Sequence, residues 1–159
     1  MIGKGTETVF GYTLRNAWGS LLGRIRVMDG PDGGYAEYVV CPKESPYAPY
    51  RLSPEDGERI EISRDDLKRI RLVLDDERLF ETEELEHSVH RMVLDGYQQE
   101  FEITCGNRHI IASGSNIQAC EGDTEHCLHS VLMAGVLEKI REILVPIGVP
   151  EECLKLTGS

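Results

Sequence analysis

The chain has 159 residues, 40% hydrophobic and 28% charged, with a formal net charge of −11. A chain of this length buries roughly 70% of its unfolded surface, so it needs neither metal nor disulfide to fold and fits a single domain, 1–159. The acidic balance repels polyanions, which argues against nucleic acid or an anionic membrane as partner.

The N-terminal segment, Met1 to Thr6, lacks the apolar stretch of a signal peptide. The longest apolar run, Val131 to Leu137, is far short of a membrane span. Five cysteines (Cys41, Cys105, Cys120, Cys127 and Cys153) stand at irregular spacing. An odd number fits reduced thiols better than a disulfide framework, and the expected compartment is the cytoplasm.

Alternation puts Thr8, Phe10, Tyr12 and Leu14 on one face of a first strand. Asn16-Ala17-Trp18-Gly19 then supplies turn chemistry. A four-residue loop there pairs Leu14 with Leu21, Phe10 with Ile25 and Thr8 with Val27. A slip of one residue would bring Arg24 and Arg26 onto the apolar face instead. A loop from Asp29 to Gly34 pairs Ile25 with Tyr38 and Val27 with Ala36. Pro42, Pro46, Pro49 and Pro54 exclude helix or central strand over 42–57. Arg59 to Ile62 reads as a short edge strand. Ser63 is the expected N-cap of a helix near 64–75, whose Leu67, Ile70 and Leu74 fall on one stripe. The acid-rich stretch 75–86 reads as an exposed connector.

Asp95-Gly96 is a strong signal for a type I′ hairpin. It pairs Leu94 with Tyr97, Met92 with Gln99 and His90 with Phe101. Gly106-Asn107 turns the chain again and sets Ile103 against Ile110 and Phe101 against Ala112. Asp123 or Thr124 is the expected N-cap of a helix near 124–145. Its stripe is Met133, Val136, Leu137, Ile140, Ile143 and Leu144, and Pro146 ends it. The expected fold is therefore α+β: an antiparallel sheet of about six strands built from two β-meanders, 6–41 and 88–113, each followed by an amphipathic helix, with the helices on one face. A pseudo-repeat of 6–75 and 88–145 is compatible with this layout. The order of helix, Leu94-Asp95-Gly96 hairpin, Ser113-Gly114-Ser115-Asn116 and closing helix resembles uncharacterised bacterial domains, a resemblance that implies no activity.

Reactive side chains are densest at Cys120, Asp123, His126, Cys127 and His129. Zinc takes thiolate and imidazole ligands, and His126 and His129 would share one side of a helix, with Cys120 reaching in from the loop. Cys127 points about 100° away from His126 on the helix wheel, and neither C-x-x-C nor H-x-x-x-H spacing is present. Thiol catalysis by Cys120 or Cys127 at a helix start is the related reading, opposed by Glu121, Asp123 and Glu125, which raise a thiol pKa. The bland reading makes Cys127 a core residue and the histidines a solvated first turn. His87 and His90 read as sheet-edge or core residues. Asp29 and Asp32 lack calcium-loop spacing, and Gly3-Lys4-Gly5-Thr6 lacks the glycines of a phosphate loop.

Pro46-Tyr47-Ala48-Pro49-Tyr50 is an extended P-x-x-P segment with two tyrosines, a shape that aromatic-lined grooves recognise; packing on one end of the sheet is the competing role. Arg24, Arg26, Arg69 and Arg71 are candidates for a local basic patch, though neither pair extends into a stripe. The leading expectation is a non-catalytic interaction module with a protein partner or self-association, no cofactor, and no nucleic acid or membrane partner. Polar Arg91, Gln98, Glu100 and Glu102 on the far face argue against a tight obligate dimer through it. The alternative is a zinc- or thiol-dependent enzyme centred on Cys120, His126, Cys127 and His129.

Overall fold

The computed structural model describes residues 5–41, 57–88 and 96–158. Among them, one antiparallel sheet holds six strands: β1 (Glu7–Asn16), β2 (Leu21–Gly30), β3 (Gly33–Val40), β4 (Glu58–Ile62), β5 (Tyr97–Cys105) and β6 (Arg108–Ser115). Their spatial order is β4-β3-β2-β1-β5-β6. Helix α1 (Arg64–Val73) follows β4, and α2 (Leu128–Leu144) follows β6. No helix among the described residues is long and apolar enough to cross a membrane.

Asn16 builds the β1–β2 turn. Its backbone N–H donates to the Ser20 carbonyl, and its side-chain Oδ1 accepts from the N–H groups of Trp18 (2.9 Å) and Ser20 (3.0 Å). Gly19 follows at φ +84, a left-handed conformation that glycine adopts without strain. The loop thus has one residue fewer than the turn chemistry implied. Irregularities between Thr8 and Phe10 and between Leu14 and Arg15 move the ladder further. The result pairs Phe10 with Val27, Tyr12 with Ile25 and Leu14 with Gly23. This register lies two residues from the expected one, and a shift of two leaves every side chain on its original face.

β2 and β3 pair Ile25 with Tyr38 and Val27 with Ala36, and the ladder runs on to Gly30 and Gly33 around a tight Pro31-Asp32 turn. β5 and β6 pair Phe101 with Ala112 and Ile103 with Ile110, as the alternation requires. The halves join through β1 and β5, where Phe10 meets Ile103 and Tyr12 meets Phe101. β5 therefore has β1 on one edge and β6 on the other. The first strand of the expected Asp95-Gly96 hairpin falls on 89–95, outside the described residues. Gly96 is required: a Cβ there would run into the Asn116 side chain, whose Oδ1 accepts from Tyr97 N–H at 2.7 Å.

Phe10, Tyr12, Ile25, Val27, Phe101 and Ile103 are fully buried in one cluster with Leu67, Ile70 and Leu74 and with Met133, Leu137 and Ile140. Each such side chain contributes about 1.5–3 kcal/mol on burial. The Tyr12 hydroxyl donates to the Lys155 carbonyl at 2.6 Å, so its polar atom costs little. Ser63 caps α1, its side chain accepting from Asp66 N–H at 3.1 Å. Stretch 75–86 is more than a connector. It forms a 3-10 turn at Glu77–Phe80 and buries Leu79 and Leu85, because apolar residues are interleaved with its acids.

Candidate functional site

The start of α2 is where the sequence gathered its reactive residues, and the structure fills it differently. The helix begins four or five residues after the expected cap, with Cys127 in the N-cap position and no side-chain cap of its own. Asp123 instead closes the turn before the helix, accepting from His126 N–H at 3.1 Å. The orphan amides of α2 are met from 75–86. The Glu86 carboxylate accepts from His129 N–H at 3.2 Å and Ser130 N–H at 3.0 Å, a cap supplied from far along the chain.

His129 lies between two carboxylates. Its Nδ1 is 2.7 Å from Glu86 Oε2 and its Nε2 is 2.8 Å from Glu81 Oε1. The bond to Glu81 leads in raising the His129 pKa, against partial burial and with help from Glu86. Burial of Glu86 favours its neutral form, but the bonds from His129 and the helix amides outweigh it and hold its carboxyl below the usual range. Ser130, fully buried, donates its hydroxyl to the Glu86 carbonyl. The array is a carboxylate–imidazole–carboxylate clamp on a helix start.

Of the proposed zinc ligands, His129 is taken by Glu81 and Glu86, and His126 Nδ1 faces Asp123 at 3.1 Å. Cys120 is buried and donates to the Glu86 carbonyl at 3.6 Å, beside Cys127. Burial, and then Cys127, push the Cys120 thiol well above the ordinary range, the reverse of what a thiolate nucleophile needs. Among the described residues no three His, Cys, Asp or Glu side chains converge as a metal-binding group. Pro46, Tyr47, Pro49 and Tyr50, the candidate binding segment, lie outside the described residues, as does His90.

The other candidate surface is the outer face of the sheet with the β1–β2 tip. Trp18, the sole tryptophan, is 87% exposed on that tip. Along β1 the outward residues include exposed Arg15 and, before it along the strand, the small Gly11 and Thr13. Cross-strand pairing sets Arg26 and Arg24 beside them on β2, and Glu102 and Glu100 beside them on β5. A cationic ridge and an anionic ridge therefore flank a low track. Arg69 and Arg71 are spent in ion pairs, with Asp66 and with Glu7 and Asp29, whereas Arg24 and Arg26 make none among the described residues. Burial and then Arg26 disfavour the Arg24 charge, Glu37 supports it, and Arg15 adds to the crowding.

Open concavities are also present among the described residues. One of ≈560 Å³ runs between α2 and the C-terminal segment, with Val131, Ala134, Arg141 and Lys155 in its lining. One of ≈430 Å³ lies beside Arg15, Glu84, His87 and Glu100. Sequence reasoning missed Glu81 and Glu86, whose roles come from a long-range contact, and Trp18, which looked like part of a turn. No protein-family model matches the chain, and comparison with curated proteins finds no match.

Proposed function

We propose that this chain is a non-catalytic protein-interaction module, with α1 and α2 roofing the apolar face of the sheet and the outer face and the β1–β2 tip forming the working surface. The observation that carries the reading is the indole of Trp18, held in water on a turn fixed by Asn16. Burying an indole of roughly 200 Å² against a partner is worth about 5 kcal/mol before association costs, at about 25 cal/mol per Å². Tryptophan is the residue most enriched among binding hot spots, and a pre-ordered loop lowers the entropy lost on docking. The net charge of −11 favours partners other than nucleic acid or anionic membrane.

The test is site-specific photo-crosslinking in the intact chain. A photoreactive residue replacing exposed Ala17 is expected to give a discrete protein adduct in cells that W18A abolishes. The same probe replacing Leu72, exposed on α1, is expected to give none. Steady turnover of a small substrate, abolished by one point change, would refute the module.

A further inference from the structure

The outer face of the sheet has an internal symmetry of charge. In one cross-strand row stand Arg26, Gly11 and Glu102; in the next, Arg24, Thr13 and Glu100. Each row reads plus, small, minus in the same direction across β2, β1 and β5. At Gly11 the nearest atoms to a would-be Cβ belong to Glu102 and Arg26, so the two ridges overhang a floor with no side chain of its own.

A two-fold axis laid along β1 above this face turns such a pattern into its own complement. The rotation carries β2 of one copy over β5 of the other and preserves position along the strand. Arg26 then lies over Glu102 of the second copy, Arg24 over Glu100, and Gly11 and Thr13 over themselves; Arg15, next along β1, meets its own copy, a like-charge contact that the four Arg–Glu pairs outweigh. Face-packed sheets lie about 10 Å apart, a gap that an Arg and a Glu reaching from opposite sides can close. A uniformly acidic or basic partner would meet one ridge of its own sign; only a surface with the reversed pattern satisfies both. The chain itself presents that surface once rotated, which is the isologous contact of a C2 dimer.

Resting on the interaction-module reading, we infer that the partner of the outer sheet face is a second copy of this chain, docked about a two-fold axis along β1 through Arg24 and Arg26 against Glu100 and Glu102. Glu102 is already oriented, with Oε2 2.9 Å from His109 Nε2 and Oε1 leaning over Gly11. The face is polar and both copies carry −11, so the dimer is reversible. Near physiological ionic strength the Debye length is about 8 Å, which screens the repulsion between whole molecules more than it screens pairs in contact.

The test is sedimentation equilibrium of the full chain near 0.15 M salt, with circular dichroism confirming that every variant folds. Wild type is expected to show a monomer–dimer equilibrium. R24E/R26E, net −15, and E100R/E102R, net −7, each move four charge units from −11 and are expected to raise the self-dissociation constant at least about tenfold. Mixed together they are expected to form a heterodimer tighter than either self-association, and the fourfold variant R24E/R26E/E100R/E102R to regain dimerisation. A wild type that stays monomeric to its solubility limit overturns the proposal. So does self-association indifferent to both reversals, or a mixture that fails to pair. The module reading is judged separately: a Trp18-dependent adduct with a different protein that survives R24E/R26E sustains it while this proposal falls.

Discussion

Replacing Glu86 removes a helix cap and one arm of a clamp in a single step. In E86A, the His129 and Ser130 amides lose an acceptor at 3.2 and 3.0 Å, and the imidazole loses its partner at 2.7 Å. Loss of a side-chain N-cap costs typically about 1 kcal/mol. A partly exposed ion pair adds about 0.2–1 kcal/mol after solvent screening. The expected total is about 1.2–2 kcal/mol, or a fall of about 2–8 °C in Tm for a chain of this size. E86Q keeps one acceptor oxygen for two amides that bond to different carboxylate oxygens, and it loses the charge, so it is expected to lie between wild type and E86A.

The pH dependence has a defined sign. The pKa of His129 is raised, so its contribution is complete below its unfolded value of about 6.5 and fades as pH climbs through the higher folded value. The pKa of Glu86 is depressed, so its contribution is complete above about 4.3 and fades as pH falls through the lower folded value. The gap between wild type and E86Q is thus widest between about pH 4.5 and 6.5 and narrows toward alkaline pH. Urea unfolding followed by far-UV circular dichroism at pH 5.5, 7 and 9 measures it. Equal stability of E86A and wild type at pH 5.5 would refute the account of α2 capping.

Other consequences are as direct. G114A is expected to destabilise by about 1–3 kcal/mol in chemical denaturation, because the new Cβ would lie 2.8 Å from Leu85 Cβ and 3.0 Å from Ile117 Cγ2. Native-state alkylation read by mass spectrometry is expected to label Cys105 and Cys41 before Cys120, Cys127 and Cys153, which are buried. The Cys153 thiol is also pushed up to about 12, chiefly by burial, so early labelling there would show that its packing is wrong. Protein purified without chelator is expected to hold no stoichiometric zinc and to unfold at the same temperature with EDTA. Near-stoichiometric zinc lost in H126A or H129A would revive the metal reading.

The sheet was legible because its information is local and periodic. Alternation at Tyr97 to Cys105 and a Gly-Asn turn fixed the β5–β6 pairing, and any error of two residues keeps side chains on their faces, as at Phe10 and Val27. What alternation does not encode is the extra residue of an irregular ladder, which is why that register moved. The start of α2 failed for a related reason. Asp123 is a good capping residue, and it does cap, but the turn it closes is the one before the helix. The true cap, Glu86, lies 43 residues before His129, and no spacing rule reaches that far.

The same distinction explains the functional residues. Cys120, His126, Cys127 and His129 were singled out because they are close in sequence, yet function at a helix start depends on which orphan groups need partners. Two unsatisfied amides and a buried hydroxyl drew in Glu86, and Glu86 with Glu81 then claimed His129. The outer face had the opposite fate. Arg24 and Arg26 were set aside because two alternating arginines make no stripe along one strand. A sheet places its stripes across strands, and only the observed order β2-β1-β5 brings Glu100 and Glu102 to the far side of Gly11 and Thr13. Charge read along the chain showed an acidic protein with scattered cations; read across the ladder, it shows two opposed ridges whose spacing is set by the strand repeat.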